Sequence, residues 1–164
     1  EKSAYTIDYA DLSRKGYRGV IFDIDNTLVP HGAPATKEAA AFFASLRETG
    51  FSTCLLSNNQ KPRVAPFADA VGSIYIENAH KPSVKNYQEA CRRMGIKEEQ
   101  AVFVGDQLFS DVYGAKRTGL YNILTEPINP KEEIQIVLKR YLEHIVLFFY
   151  ERDLARGRIT KKNS

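Results

Sequence analysis

Val20-Ile21-Phe22-Asp23-Ile24-Asp25-Asn26-Thr27 joins an apolar run to a pair of aspartates. The run predicts a buried strand that delivers Asp23 and Asp25 to its end. Side chains alternate along a strand, so both carboxylates lie on the same side of the chain, where they repel unless a cation or a shared proton compensates them. A hard cation such as Mg²⁺ would do so. The alternative is an aspartate-rich turn that caps the following helix.

Apolar runs alternate with helix-like stretches along the rest of the chain. This alternation is typical of βαβ units, so we predict an α/β fold: a three-layer, doubly wound, Rossmann-like parallel sheet with helices on both faces. The predicted strands are Gly19–Ile24, Ser52–Leu56, Ser73–Ile76, Ala101–Val104 and Tyr121–Leu124.

Helix signals occupy the gaps between these strands. The predicted helices are Lys37–Glu48, Lys61–Ala70 and Val84–Met94. Thr36 and Ser83 are suitable N-caps for the first and third of them, and Gly50 and Gly95 are suitable stops. Pro66 should kink or shorten the second helix, because proline removes a backbone donor and clashes with the preceding turn.

The composition is that of a soluble globular protein. The 164 residues are 43% hydrophobic and 26% charged, which suffices for one well-buried core, and a net charge of +3 is too small to indicate a nucleic-acid partner. Cys54 and Cys91 are the two cysteines, and they offer neither a disulfide framework nor a Cys-x-x-Cys metal site. No signal peptide or spanning segment is visible, although the chain begins at Glu1 and an upstream anchor would not be seen. We therefore expect a cytoplasmic protein.

The C-terminal part has a different pattern. We divide the chain into a core, residues 1–130, and an amphipathic helix with a basic tail, residues 131–164, which together form a single domain. The predicted helix, Glu132–Arg152, is too short and too charged to span a bilayer. It could pack on the sheet, or its aromatic end, Leu147-Phe148-Phe149-Tyr150, could contact a membrane surface or a partner.

Polar groups recur where the predicted strands end. In open α/β sheets the ligand crevice lies outside the carboxyl ends of the strands, so groups that are distant in sequence can converge there. These groups are Asp23 and Asp25 after the first strand, Ser57 and Asn58 after the second, Lys81 after the third, and Asp106 and Asp111 after the fourth.

The chemistry that needs these residue types together is phosphoryl transfer. A carboxylate nucleophile forms an aspartyl-phosphate, a second carboxylic acid protonates the leaving oxygen, and Mg²⁺ with an ammonium group neutralises the phosphoryl oxygens. Asp23, Asp25, Asp106 and Lys81 could supply these parts, and the Ser57 hydroxyl could bind phosphate oxygens. Taken singly, Ser57 could be a strand-end cap, Lys81 a surface lysine and Asp111 a helix cap.

Four motifs carry a family resemblance. D-I-D-N-T, L-L-S-N-N, H-K-P and V-G-D-Q-L-F-S-D resemble the motifs of the haloacid dehalogenase superfamily, and more narrowly those of its capless subfamily IIIA and the YqeG-type phosphatases. That branch includes relatives of mitochondrial phosphatidylglycerophosphate phosphatase. The resemblance extends over roughly Tyr5 to Pro127.

The resemblance implies a role for each matched position. Asp23 would be the nucleophile and a metal ligand, and Asp25 the general acid and base, with its backbone carbonyl also binding Mg²⁺. Asp106 would complete the metal site, and Asp111 would support it from the second shell or through water. The phosphate-binding residues would be Ser57, Asn58 and Lys81. Asp25 also separates this chain from the dehalogenases of the superfamily, which resemble the phosphatases but lack the second aspartate.

Short connections imply an open site. The segments between Asp25 and Ser57 and between Ser57 and Lys81 have room for a crossover helix each but not for a cap domain. A member of this family without a cap domain resembles enzymes that act on a large substrate, or whose oligomeric partner closes the site.

We therefore predict a Mg²⁺-dependent phosphatidylglycerophosphate phosphatase of phospholipid biosynthesis, with peripheral contact at the inner face of the membrane. In one alternative the same chemistry acts on a sugar phosphate, a nucleotide or a phosphoprotein. In a second, the protein is a non-catalytic membrane- or protein-binding module.

Overall fold

Five parallel strands form one sheet in the computed structural model, which describes residues 1–130. The strands are β1 (Gly19–Phe22), β2 (Ser52–Leu56), β3 (Ile74–Ile76), β4 (Ala101–Gly105) and β5 (Tyr121–Leu124). Their order is β3-β2-β1-β4-β5, with Gly19 of β1 opposite Ser52 on one side and Ala101 on the other. All five predicted strands are confirmed, with ends that differ from the prediction by at most two residues.

Burial explains the apolar runs in the central strands. Every residue of β1 and β4 is buried, as expected for parallel strands that are covered by helices on both faces. The outer strands are less covered: Ile74 of β3 is 40% exposed and Tyr121 of β5 is 50% exposed.

The helices cover both faces of the sheet. They are α1 (Tyr9–Arg14), α2 (Lys37–Glu48), α3 (Lys61–Val71), α4 (Val84–Met94) and α5 (Tyr113–Thr118). A π-helical turn, Leu108–Val112, leads into α5. Phe22 packs in one hydrophobic cluster with residues of α1, α2 and α3, whereas Ile21 packs in the other with residues of α4 and α5. The three-layer α/β prediction is confirmed.

The predicted helix ends were partly right. The Thr36 hydroxyl accepts a hydrogen bond from the backbone N–H of Ala39 at 3.0 Å, which confirms this N-cap. Gly95 ends α4 in the left-handed region, with φ +69°. Ser83 precedes α4 as predicted, but its side chain makes no capping hydrogen bond, so that part of the prediction was wrong.

Pro66 does not shorten α3. The helix continues through it to Val71, one residue beyond the predicted end. Pro62 and Pro66 are both exposed, so water can reach the carbonyl that Pro66 leaves without a donor.

The connections that position the site contain no inserted domain within residues 1–130. The chain between Asp25 and Ser57 forms a loop, α2 and β2, and the chain between Ser57 and Lys81 forms α3, β3 and short turns. No helix in this part of the chain is long and apolar enough to cross a membrane. The predicted C-terminal helix, Glu132–Arg152, lies outside the described residues.

Candidate active site

The end of β1 holds the first two carboxylates at the edge of the sheet. The Asp23 N–H donates to the Val104 carbonyl at 3.0 Å, which continues the pairing of β1 with β4. The chain then turns at Asn26, whose φ is +62°, a region that asparagine tolerates better than most residues. Asp23 and Asp25 are 7% and 9% exposed, so the turn fixes two carboxylates in a mostly buried position.

Lys81 connects the loops that follow three strands. Its ammonium Nζ lies 2.5 Å from Asp23 Oδ1 and 2.7 Å from Asp111 Oδ1, and its side chain is 4% exposed. Its backbone N–H donates to Asn58 Oδ1 at 2.7 Å. Lys81 is therefore a buried cation between two carboxylates, not the surface lysine of the alternative interpretation.

Asp106 and Asp111 reach the site from the end of β4. Thr27 Oγ1 donates to Asp106 Oδ1 at 3.0 Å, and the Gln107 N–H donates to Asp111 Oδ2 at 3.1 Å. A Cβ on Gly105 would lie 2.5 Å from Asp111 Oδ2, so this close approach requires glycine.

Three of these carboxylates could hold a metal ion. One oxygen from each of Asp23, Asp106 and Asp111 lies within 4.8 Å of the others, and all three residues are buried. Hard carboxylate oxygens at this spacing fit a divalent cation such as Mg²⁺. The sequence prediction placed Asp111 behind the metal ligands; in the structure one of its oxygens lies within 4.8 Å of oxygens of Asp23 and Asp106, and Asp111 also binds Lys81.

Charge and burial shift two pKa values in this cluster. Burial raises the pKa of Asp23 to about 7, with further increases from Asp111 and Asp25 and an opposing decrease from Lys81. Burial alone would lower the pKa of Lys81, but Asp111 and Asp23 outweigh it and raise that pKa above its usual range. Burial dominates the shift of Asp23, whereas the neighbouring carboxylates dominate that of Lys81; a divalent cation would compensate the negative charge that contributes to both.

Ser57 and Asn58 lie beside this cluster at the end of β2. Ser57 is 2% exposed, and its Oγ accepts a hydrogen bond from the Asn59 N–H at 3.1 Å. Ser57 therefore caps the end of β2, which is the structural role considered above as the alternative to phosphate binding. Asn58 contributes by holding the backbone of Lys81.

Asp25 has partners that the sequence reasoning missed. Its Oδ1 accepts hydrogen bonds from the Gly32 N–H and from Arg63 Nη2, both at 2.8 Å, and its Oδ2 accepts one from Asn59 Nδ2 at 2.5 Å. Thr27 was missed as well. Arg63 could have been found, because the first turn of the helix after β2 necessarily begins at the carboxyl edge of the sheet.

Comparisons with known proteins identify the family of this chain. Residues 32–119 match the model of the family described as haloacid dehalogenase-like hydrolase. The chain is 34% identical to a probable phosphatase, YqeG, of Bacillus subtilis, over 92% of this chain and 88% of that protein. It is 29% identical to a chloroplastic/mitochondrial phosphatidylglycerophosphate phosphatase of Arabidopsis thaliana, over 92% of this chain but 46% of that protein.

A solved structure supports the fold alone. An uncharacterised protein of Corynebacterium glutamicum superposes with a TM-score of 0.56 at 22% identity, over 74% of this chain and 93% of that one. Because the family model and the relative in Bacillus subtilis both match most of the core, the chain belongs to the haloacid dehalogenase-like hydrolases, among the phosphatases of that family.

Proposed function

We propose that this protein is a Mg²⁺-dependent phosphomonoester hydrolase that works through an aspartyl-phosphate, with phosphatidylglycerophosphate as its substrate. The observation that carries the chemistry is the position of Lys81, whose buried ammonium lies between Asp23 and Asp111. A phosphoryl group next to Asp23 would then meet a fixed positive charge. A binding module without catalysis would have no need for that arrangement.

Each carboxylate at the end of β1 has its own role in the proposal. Asp23 attacks the phosphorus, a bond forms between its carboxylate oxygen and phosphorus, and the bond from phosphorus to the alcohol oxygen breaks. Asp25 gives its proton to that alcohol oxygen. In the second half-reaction Asp25 accepts a proton from the water that attacks the aspartyl-phosphate, which restores both carboxyl groups to their initial states.

The remaining residues of the cluster bind the phosphoryl group or hold the metal. We assign phosphate binding to Lys81 and to Ser57 and Asn58 at the end of β2. The metal ligands proposed are Asp23, Asp106 and the backbone carbonyl of Asp25. When bound, Mg²⁺ supplies positive charge that polarises the phosphoryl group and permits Asp23 to approach it.

Asp111 could either bind the metal directly or hold Lys81. A comparison of Asp111→Asn with Asp106→Asn separates these roles, because Asp106 is proposed as a direct metal ligand. Loss of a direct ligand raises the Mg²⁺ concentration needed for half-maximal activity, whereas loss of support for Lys81 raises the KM for substrate at saturating Mg²⁺.

The lipid substrate is supported by similarity and by the surroundings of the site. One relative is named a phosphatidylglycerophosphate phosphatase. The loop between Asp106 and Asp111 carries Leu108 and Phe109, which are 57% and 81% exposed. Apolar side chains at the rim of a site without a cap suit a substrate that is presented by a bilayer.

Phosphate release from phosphatidylglycerophosphate in mixed micelles tests the proposal. It is measured with and without Mg²⁺, beside a panel of sugar phosphates, nucleotides and a phosphopeptide, and with Asp23→Asn as the control. We expect Mg²⁺-dependent turnover of the lipid, and an inactive but folded Asp23→Asn variant because the substitution removes one charge from a crowded cluster. Turnover of soluble esters alone would retain the chemistry and reject the lipid, and full activity of Asp23→Asn would reject the mechanism.

Peripheral membrane contact is a separate part of the proposal. The substrate lies in a bilayer, so the protein should bind anionic vesicles at least transiently. Co-sedimentation with vesicles that contain phosphatidylglycerol, at low and at high salt, measures this binding. If the protein sediments with the vesicles neither at low nor at high salt, that result would argue against a membrane-bound substrate.

A further inference from the structure

A groove of about 320 Å³ lies next to two residues that donate hydrogen bonds to Asp25. One wall is the loop of residues 32–35, and the other is the side of α3 that carries Pro62, Pro66 and Ala70. These three residues are exposed, and all of them are apolar. The groove therefore has mainly apolar walls although it starts at a charged cluster.

Two residues that line the groove hold the carboxyl group of Asp25. Gly32 and Arg63, which both line the groove, donate hydrogen bonds to the same oxygen, Asp25 Oδ1, each at 2.8 Å. Any group that takes a proton from Asp25 must lie within hydrogen-bond distance of it. The alcohol that leaves when the phosphate ester breaks would accordingly begin next to Gly32 and Arg63, where the groove approaches Asp25.

Arg63 brings a positive charge to the same place. Its side chain is 21% exposed, and its guanidinium lies 5.5 Å from the centre of the Phe67 ring, which restricts its movement. A guanidinium has five N–H donors, and the contact with Asp25 uses Nη2 alone. The Nε is buried, so an anion in the groove would bind the other terminal nitrogen, Nη1, and the remaining N–H of Nη2. Arg63 thus retains the capacity to bind an anion in the groove.

We propose that this groove binds the leaving group of the substrate and that Arg63 binds a second negative charge on it, the phosphodiester of a phospholipid head group. The inference rests on the proposed function. In phosphatidylglycerophosphate a single glycerol unit joins the terminal phosphate to the phosphodiester. When the bond between phosphorus and the glycerol oxygen breaks, Asp23 holds the phosphoryl group and that oxygen takes the proton from Asp25. The glycerol carbons then lie along the apolar walls, and the phosphodiester lies at Arg63.

Two substrates that differ in the phosphodiester test the charge. Deacylated head group, glycerophosphoglycerol phosphate, carries both phosphates in water, and glycerol 3-phosphate ends in the same glycerol phosphate without the diester. The readout is kcat/KM for the deacylated head group divided by kcat/KM for glycerol 3-phosphate. Arg63→Ala should lower this ratio about tenfold or more, chiefly through KM for the head group, because a charge-assisted hydrogen bond is lost from one substrate only. An equal loss on both substrates would reduce Arg63 to a positioning residue for Asp25 and overturn its assignment to the second anion.

A substitution that fills the groove tests its occupancy. Ala70→Trp places a ring between the two walls and should raise the KM for both substrates, because the glycerol of either one would lie along these walls. Asp69→Trp is the matched control, because Asp69 is exposed on the same turn of α3 but does not line the groove. An unchanged KM in Ala70→Trp, or an equal change of KM in Ala70→Trp and Asp69→Trp, would overturn the groove assignment. If the wild-type protein hydrolyses neither phosphatidylglycerophosphate nor its deacylated head group, the proposed substrate is refuted first and this inference falls with it.

Discussion

Replacing Lys81 by methionine removes a buried charge and preserves most of the side-chain volume. The Lys81 ammonium lies 2.5 Å from Asp23 and 2.7 Å from Asp111, and neither carboxylate is accessible enough for water to replace it. Removing one member of a buried ion pair costs about 3–5 kcal/mol, because the remaining charge is left without compensation. For a chain of this size that corresponds to a fall in Tm of about 6–20 °C.

The same variant should be sensitive to pH. Lys81 opposes the effects that raise the pKa of Asp23, so its removal raises that pKa further. A carboxyl group whose pKa is higher in the folded than in the unfolded state contributes stability at low pH and loses it as the pH rises through the folded value. We therefore expect the deficit of Lys81→Met to be larger at pH 8 than at pH 5.

Thermal unfolding followed by circular dichroism, in the presence of a chelator, measures both effects. Lys85→Met is the matched control, because Lys85 is an exposed lysine four residues along the chain. Added Mg²⁺ should recover part of the stability of Lys81→Met but little of its activity, because a metal compensates the carboxylates without replacing the phosphate contact. If Lys81→Met unfolds at the same temperature as Lys85→Met, or shows the same deficit at both pH values, Lys81 is not the counterion of this cluster.

Three further predictions concern the fold. Gly114→Ala should cost about 1–3 kcal/mol of unfolding free energy in a urea titration, since its Cβ would lie 2.5 Å from the hydroxyl of the buried Tyr87; an unchanged midpoint would mean that the ring can move aside. Thr36→Ala should cost about 1 kcal/mol by the same titration, because it removes the acceptor for the Ala39 N–H, whereas Thr36→Ser should cost little. Burial raises the pKa of Tyr5 to about 12 from 10.0, so its contribution to stability should persist below pH 10 and be lost between pH 10 and 12. A difference in unfolding free energy between the wild type and Tyr5→Phe that is the same at pH 9 and at pH 12 would contradict that.

The strands and the long helices were predictable because their signals are local. Val20, Ile21 and Phe22 form an uninterrupted apolar run, and β1 is buried on both faces. Thr36 carries its capping function in its own side chain. By contrast, the short helix α1 was missed, because six residues give too little periodicity for a prediction.

The site was predictable to the extent that topology determines it. Asp23, Ser57 and Asp106 follow strands whose ends must meet at one edge, so their convergence follows from the parallel sheet. The partners of Asp25 depend instead on how a loop and a helix pack. The sequence does not state that Gly32 turns its N–H toward Asp25 or that Arg63 points back across the first turn of α3. Those contacts depend on tertiary packing, which no local sequence signal encodes.

The central position of β1 has a consequence for biosynthesis. Gly19 pairs with Ser52 on one side and with Ala101 on the other, so β1 acquires its second neighbour only after about 80 further residues have been translated. The counterion of Asp23 and the segment that contains Asp111 emerge similarly late. Until then the nascent chain holds an apolar strand that ends in two aspartates and is open to pairing on one edge. The same residues that later perform chemistry keep this strand end hydrated during that interval, which should discourage association between neighbouring nascent chains.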